Sequence, residues 1–306
     1  MRNENPKFAV GQIHIEDGST IQENLQKAKK MVEEAKAQGA EAILFPEIGF
    51  EPFFPKHPWN TEAFASAEQI PGPISDFLGE LALANDMVIC ASYMEEGYTG
   101  EYYDSAIVID SDGKLLGTQR MIHTQEVGDY NEKFYYGNGN TDYPVFDTAV
   151  GKLGIAICYD AWFPEVCRSL AVKGADIILI PTCEKYCTLP SDPTLEEGTI
   201  NSCVMTMFKA QAIFNGCWVV MCNRVGIEED RYHYFGKSCF INPFGQLVEQ
   251  AGDMEEAVIT RELDINMTRK LRQIWPMLDD RRCETFGALT KWYGSTPYYD
   301  KDRVTL

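Results

Sequence analysis

Basic residues are scarce in this sequence. Its 27 lysines and arginines are outnumbered by 46 aspartates and glutamates, and the formal net charge is −19. Nucleic acids and anionic membrane surfaces repel such an acidic protein, so we expect neither as a partner. No apolar run approaches the length of a membrane span, and the first residues lack the pattern of a signal peptide.

Sequence signals for a metal or a cofactor are also missing. Of the ten cysteines, Cys183 and Cys187 are close in sequence, as are Cys217 and Cys222. Neither pair is joined by a second close pair or by a histidine at zinc-site spacing. No glycine-rich phosphate loop is present. We therefore expect no metal and no cofactor, and scattered cysteines without a signal peptide indicate a reducing cytoplasm.

What the sequence does contain is a regular alternation of strand and helix patterns. The order is βαβαβ, a hairpin, βαβ, a helix, a strand, a second hairpin and a last strand, within 306 residues. Inserted hairpins favour one α/β domain with two mixed sheets over a single doubly wound sheet. The two halves follow a similar order, which suggests an internal repeat.

The most informative stretch is Lys152–Thr182, which reads as strand, tight turn, helix and strand. Cys158 ends the first strand, and Pro164 suits the first turn of the helix that follows. A thiol at such a junction is held by rigid elements yet faces the crevice at the carboxyl end of the strand. It is a candidate nucleophile, provided that a neighbouring base or cation favours the thiolate. The alternative is a buried structural cysteine.

Three segments in this order and spacing resemble the nitrilase superfamily of carbon–nitrogen hydrolases, in its amidase or N-carbamoyl amidohydrolase-like branch. They are FPEIGF at Phe45–Phe50, GKLGIAICYDAWFPEVCR at Gly151–Arg168, and NRVG at Asn223–Gly226 followed by FGKSCFINPFG at Phe235–Gly245. The resemblance implies an αββα sandwich of two mixed β-sheets flanked by helices, over residues 1–282. It also implies a homodimer or larger homo-oligomer, in which two sandwiches form a four-layered body. Residues 283–306 are then a C-terminal extension that contacts another subunit.

The resemblance also implies the chemistry. The family's nucleophile falls on Cys158, its general base on Glu47, and its second glutamate on Glu132, in YNEKFYYGNG. Glu47 follows a buried strand, so desolvation should raise its pKa toward a useful range. We expect hydrolysis of an amide or N-carbamoyl group of a small molecule through a cysteine thioester, with release of ammonia. A nitrilase acting on nitriles is the alternative from the same family.

The sequence departs from the family pattern at one position. Where the family has a catalytic lysine, this chain has Met121, whose side chain neither donates a hydrogen bond nor carries charge. Another cation could take over, this branch could use a different oxyanion donor, or the protein could bind a ligand without efficient turnover. The candidate cations are Arg120, Lys133 and His123.

Aromatic residues in the loops beside the crevice suggest the substrate lining. The predicted substrate-binding residues are Tyr159, Trp162, Phe53, Phe54 and Cys183. Such a lining suits a hydrophobic or amphipathic small molecule. Arg120, His123 and Lys185 are positioned in the sequence to bind a substrate carboxylate. The sequence does not decide between amide, carbamoyl and nitrile.

Overall fold

A computed structural model describes residues 4–186 and 199–291 of the chain. The strands are β1 (Lys7–Gln12), β2 (Ala42–Leu44), β3 (Val88–Glu96), β4 (Tyr102–Ile109), β5 (Leu115–Arg120), β6 (Glu126–Val127), β7 (Tyr130–Asn131), β8 (Val145–Thr148), β9 (Gly151–Ile155), β10 (Ile177–Thr182), β11 (Trp218–Asn223), β12 (Val225–Glu228), β13 (Tyr232–Phe235), β14 (Cys239–Ile241), β15 (Leu247–Gln250) and β16 (Ala257–Glu262). The α-helices are α1 (Ile21–Ala37), α2 (Pro73–Asn85), α3 (Glu132–Tyr135), α4 (Pro164–Val172), α5 (Thr199–Asn215) and α6 (Ile265–Ile274).

Twelve of these strands form two six-stranded sheets, with orders β16-β1-β2-β3-β4-β5 and β15-β14-β11-β10-β9-β8. Strands β1, β2 and β3 are parallel in the first sheet, and β9, β10 and β11 are parallel in the second. Their other neighbours pair antiparallel. Both sheets are therefore mixed, as predicted, and they share one pairing pattern.

The side chains of each strand point alternately to the two faces of its sheet, and the core is therefore divided into three layers. Val10, Leu44 and Val88 of the first sheet pack with Leu179 and Val220 of the second in an inner layer between the sheets. The outward-facing residues of the first sheet pack against α1 and α2, and those of the second sheet pack against α4 and α5. Successive strand residues point to opposite faces, so this arrangement is the predicted αββα sandwich.

Helix α1 shows how local sequence sets its own boundaries. Thr20 caps its N-terminus by accepting a hydrogen bond from the Glu23 N–H, and the Glu23 carboxylate accepts one from the Thr20 N–H. This reciprocal capping box satisfies two backbone donors that a helix end leaves open. The apolar residues at helical spacing are buried against the first sheet, and they are Leu25, Ala28, Met31, Val32 and Ala35.

The structure differs from the sequence expectation in short elements. The polar sequence of residues 121–140 predicts a loop, but this segment contains the β6–β7 hairpin and the single turn α3. The β12–β13 hairpin was not predicted either. Strand β9 ends at Ile155, so Cys158 begins a 3₁₀ turn, Cys158–Trp162, instead of ending the strand. Elements this short are stabilised by tertiary contacts more than by local propensity.

In the described ranges, no helix combines the length and apolarity that crossing a bilayer requires. Residues 283–291 form two 3₁₀ turns, and the Tyr-rich part of the predicted extension lies outside the described residues.

Candidate active site

Cys158 sits in a strained turn just beyond the carboxyl end of β9. Its φ angle is +40°, in the left-handed region that non-glycine residues rarely occupy. The side chain is 2% exposed and packs in the inner layer between the two sheets. Strain of this kind persists only where the surrounding structure enforces it, and it is concentrated at functional sites.

Glu47 follows β2 in an equally constrained loop. Ile48, directly after it, has a φ of +45°, which is unusual for a β-branched residue. The Ile48 N–H donates to the Ser92 hydroxyl at 3.2 Å. From the other side, the Arg224 guanidinium donates to the carbonyl oxygens of Ile48 and, at 2.9 Å, of Glu51. The backbone that carries the Glu47 carboxyl is therefore held from two directions.

Glu132 reaches the same place from α3. One of its carboxylate oxygens accepts the Gln125 N–H at 2.6 Å, and the other has no hydrogen-bond donor. Neither Glu47 oxygen has a hydrogen-bond donor of ordinary geometry, and both carboxyls are fully buried. Unpartnered buried carboxyls are costly when charged, which favours their protonated forms.

The buried carboxyls raise one another's pKa. Burial raises the pKa of Glu47 well above its usual value, the negative charges of Asp104 and Glu132 add to this, and contact with the Cys158 thiol acts in the opposite direction. Burial raises the pKa of Glu132 to about 8 and that of Asp104 to about 6. Cys158, Glu47 and Glu132 thus lie in one electrostatic cluster, together with Asp104.

The Cys158 thiol is itself held in its neutral form. Burial raises its pKa well above the usual value, and the carboxyls of Glu47, Glu184 and Glu132 raise it further. The Cys183 backbone N–H donates to the sulfur and lowers the pKa. A thiol in this setting becomes a nucleophile only if a base removes its proton, and Glu47 is the carboxyl that contacts it.

Three residues of the site were missed by the sequence analysis. Asp104 lies within β4, and its carboxylate accepts the Ser92 hydroxyl at 2.6 Å. Glu184 follows β10, accepts the Trp162 indole N–H at 3.2 Å, and has its pKa raised to about 7 by burial. Arg224 lies in the NRVG segment. An aspartate inside an apolar strand and a glutamate directly after one are signals that could have identified the first two.

The proposed replacement cations are placed as follows. Arg120 binds both oxygens of Glu95, at 2.8 and 2.6 Å, and stacks on the Tyr103 ring. His123 contacts Asp160 at 2.7 Å and stacks on Phe163. Lys133 is exposed on α3. Met121 is fully buried in the same apolar layer as Cys158. Arg120 and His123 are thus paired with carboxylates other than Glu47 and Glu132.

The predicted substrate-binding residues fall into two groups. Phe53 and Phe54 are buried in an aromatic cluster, with ring centroids 5.8 Å from Tyr130 and 5.0 Å from Tyr135 respectively. Cys183 is also buried, and its carbonyl accepts the Tyr130 hydroxyl at 3.2 Å. Tyr159 and Trp162, in contrast, are half-buried in the 3₁₀ turn that Cys158 begins, and their ring centroids lie 5.8 Å apart.

Across residues 4–186 and 199–291, no group of three histidine, cysteine, aspartate or glutamate side chains is arranged to hold a metal ion. The cluster consists of buried acids around the Cys158 thiol. Glu47, Cys158, Glu184 and Arg224 follow the carboxyl ends of the parallel strands β2, β9, β10 and β11, where ligands bind in α/β sheets. A thiol beside buried carboxyls can act as a nucleophile when one of the carboxyls accepts its proton.

Comparison with known proteins agrees with this class. The carbon–nitrogen hydrolase family model matches residues 7–273. The chain is 32% identical to the N-carbamoylputrescine amidase of Solanum lycopersicum over 305 residues, 97% of this chain and 99% of that protein. It is 30% identical to the citrullinase of Francisella tularensis subsp. tularensis over 293 residues, 94% of this chain and 99% of that protein.

A solved structure agrees as well. The crystal structure of a carbon–nitrogen hydrolase from Helicobacter pylori G27 matches with a TM-score of 0.87 and 27% identity, over 94% of this chain and 99% of that chain. The chain belongs to the carbon–nitrogen hydrolase family, within the nitrilase superfamily, and is an enzyme of the amidase type.

Proposed function

We propose that the protein hydrolyses the terminal amide or N-carbamoyl group of a small molecule, with Cys158 as nucleophile, Glu47 as general base and Glu132 as supporting carboxyl. The observation that carries the proposal is the contact between a buried thiol and a buried carboxyl that has no nitrogen or hydroxyl donor. Such a carboxyl holds a proton strongly once it has accepted one, which suits a general base.

The first half of the reaction forms a thioester. The Glu47 carboxylate accepts the thiol proton as the sulfur attacks the carbonyl carbon, and the carbonyl oxygen becomes an oxyanion. The Cys183 N–H donates to the sulfur in the free enzyme and can stabilise negative charge that develops on the sulfur. When the oxyanion collapses, the carbon–nitrogen bond breaks and Glu47 returns the proton to the leaving nitrogen. Ammonia departs, and the acyl group remains on Cys158.

The second half releases the acyl group. Glu47 accepts a proton from water while the water oxygen attacks the thioester carbon. The carbon–sulfur bond then breaks, and the proton returns to the sulfur. An amide substrate yields a carboxylic acid. An N-carbamoyl substrate yields a carbamic acid, which decomposes to an amine and carbon dioxide. Glu132, with its pKa raised to about 8, stays largely neutral at pH 7 and adds little negative charge beside the oxyanion.

Substrate choice within this class rests on the relatives. Two of them, by name, act on N-carbamoylputrescine and on citrulline, which both end in a carbamoyl group. We therefore place N-carbamoyl compounds and terminal amides ahead of nitriles. Tyr159 and Trp162, half-buried in the turn that Cys158 begins, would contact the rest of the substrate. Met121 supports one competing function, a binding protein that holds amides without efficient turnover.

The experiment is ammonia release from a panel of N-carbamoyl compounds, terminal amides and nitriles. The wild-type protein should release ammonia from at least one of the first two classes, and Cys158→Ala and Glu47→Gln should reduce the rate to background. Cys203→Ala, at an exposed cysteine, is the matched control and should keep full activity. Release from nitriles alone would identify a nitrilase, and binding without any release would identify the binding protein.

We also propose that the protein is a cytoplasmic homo-oligomer in which residues 283–306 contact another subunit. The cysteines that the structure describes are all free, which suits a reducing compartment. Size-exclusion chromatography with light scattering, applied to the full chain and to a chain ending at residue 282, tests the oligomer and the role of the extension. A monomer in both cases would contradict the proposal.

A further inference from the structure

Asp104 lies inside the acidic cluster, and the reaction steps above give it no role. Its carboxyl is fully buried, and it lies on the same face of β4 as Ala106 and Val108, toward the inner layer between the sheets. The Met121 N–H donates to the Asp104 carbonyl at 2.8 Å, which extends the pairing of β4 with β5 by one residue. Because opposite residues of an antiparallel pair share a face, the Asp104 side chain lies beside the position where the family has its lysine.

Hydrogen bonds connect Asp104 to the loop that carries Glu47. The Ile48 N–H donates to the Ser92 hydroxyl at 3.2 Å, and this hydroxyl donates to Asp104 Oδ1 at 2.6 Å. Among the residues that the structure describes, no nitrogen or hydroxyl donor reaches Asp104 Oδ2 or either Glu47 oxygen. The carboxyls of Glu47 and Asp104 nevertheless make a hydrogen-bond contact with each other. Two carboxyl groups form such a bond only when a proton lies between them.

No positive charge compensates this pair of carboxyls. The ionisable groups that interact with one or both of them are Glu51, Glu132, Tyr136, Cys158 and Asp160. Within residues 4–186 and 199–291, basic side chains of the region form ion pairs with other acids, Arg120 with Glu95, His123 with Asp160 and Arg224 with Glu228. Two adjacent negative charges would repel each other strongly in this buried setting, and one shared proton removes that repulsion.

The acidities of the two groups agree with a shared proton. Burial raises the pKa of Asp104 to about 6, and the hydrogen bond with Glu47 acts in the opposite direction. Burial raises the pKa of Glu47 well above its usual value, and the charge of Asp104 and the hydrogen bond with it raise it further. The pair therefore loses its first proton near pH 6 and its last proton at a higher pH.

We propose that Glu47 and Asp104 share one proton in the active enzyme, and that Asp104 is a positioning residue that keeps Glu47 ready as the general base in the absence of the family's lysine. The inference rests on the proposed function, in which Glu47 is the base. When the shared proton lies on Asp104, the Glu47 carboxylate accepts the thiol proton as the sulfur attacks. Both carboxyls are then neutral. Glu47 next gives a proton to the leaving nitrogen, and the pair again holds one proton.

The test is the pH profile of kcat/KM in variants at position 104. In the wild type, kcat/KM should fall on the acid side when the pair gains a second proton, and on the alkaline side when it loses the shared one. Asp104→Asn keeps a donor toward Glu47 and an acceptor for the Ser92 hydroxyl, but it has no proton to lose. Its alkaline limb should therefore move to higher pH. Its acid limb should rise by about one pH unit, because an amide donates more weakly than a carboxylic acid.

Two further variants at the same place complete the series. Asp104→Leu has a similar shape and no donor, and its acid limb should rise by about two pH units. Asp112→Asn, at an exposed aspartate in the turn between β4 and β5, is the matched control and should leave both limbs unchanged. Loss of a purely structural aspartate would lower kcat or the free energy of unfolding without moving either limb.

Met121→Lys tests the same charges from the opposite strand. An ammonium placed beside Asp104 should lower the pKa of both carboxyls, so the acid limb should move to lower pH, opposite to its movement in Asp104→Asn. Alkylation of Cys158 by iodoacetamide, followed on the Cys158 peptide by mass spectrometry, reports the acid limb without any substrate. The same order of the three proteins is expected in this assay.

Two results would overturn the inference. One is a folded Asp104→Asn protein with both limbs at the wild-type pH. The other is a Met121→Lys protein whose acid limb is unchanged or raised, and this variant decides the matter if Asp104→Asn does not fold. Both results leave Cys158-dependent ammonia release by the wild type intact. They are therefore distinguishable from failure of the proposed function, in which the wild-type protein itself releases no ammonia.

Discussion

Glu132→Gln should make the protein more stable, by an amount that depends on pH. The Glu132 carboxyl is fully buried, and burial raises its pKa from 4.5 to about 8. One pKa unit corresponds to about 1.4 kcal/mol, so an ionised Glu132 costs the folded state at most about 5 kcal/mol. Glutamine cannot ionise, and its amide oxygen can still accept the Gln125 N–H.

The sign of the pH dependence follows from the two pKa values. Below pH 4.5 the carboxyl is protonated in both states, and its ionisation has no effect on stability. As the pH rises, the unfolded chain loses the proton first, so the free energy of unfolding of the wild type falls until the folded-state pKa of about 8 is passed. The advantage of Glu132→Gln over the wild type should therefore grow by about 4 kcal/mol between pH 5 and pH 8.5.

Urea unfolding of both proteins at pH 5 and pH 8.5 measures this difference. Asp104 and Glu184 titrate in both proteins, so their contributions largely cancel in the comparison. Glu62→Gln, at an exposed glutamate, is the control and should show no such change. A Glu132→Gln advantage that is the same at both pH values would refute the description of Glu132 as a buried acid with a raised pKa.

Three further predictions concern the same site. The acid limb of the kcat/KM profile should lie well above pH 4.5, because the Glu47 pKa is raised and the base must be deprotonated; a limb near 4.5 would contradict this. Arg224→Met should lower the free energy of unfolding by about 3 to 5 kcal/mol, because it leaves Glu228 without one of its buried partners. Arg231→Met, at an exposed arginine, is the control. It should lower the free energy of unfolding by under about 1 kcal/mol in the same urea titration. Cys158→Gly should be more stable than Cys158→Ala by about 1 kcal/mol, because glycine tolerates a φ of +40°; equal urea midpoints would show that the turn is unstrained.

Local sequence patterns were sufficient to predict much of the fold. The capping box at Thr20 and the spacing of Leu25, Ala28 and Met31 are local signals for α1 and its buried face. Apolar runs bounded by glycine and polar residues predicted the strands of both sheets. These features depend on residues close together in the sequence, which is why the sequence reveals them. The short hairpin β12–β13 and the turn α3 have no such local signal and were missed.

The sequence also placed Glu47 and Cys158 at the ends of strands, from motif resemblance and from the strand–turn–helix pattern. It could not show that Asp104 of β4 and Arg224 after β11 belong to the same site. Asp104 reaches the cluster because β4 pairs with β3, next to the strand that precedes Glu47. Arg224 reaches the Glu47 loop because the second sheet packs on the first.

By itself, then, the sequence indicated most of the secondary structure and the family, and it predicted a thiol and a base for the reaction. Only the tertiary structure decided which charged groups surround them: Asp104 and Glu184 join the cluster, and Arg120 pairs with Glu95. The physical reason is that burial and strand order set the pKa values and partners of side chains that are distant along the chain. Neither the pKa values nor the partners can be obtained from residues that are neighbours in sequence alone.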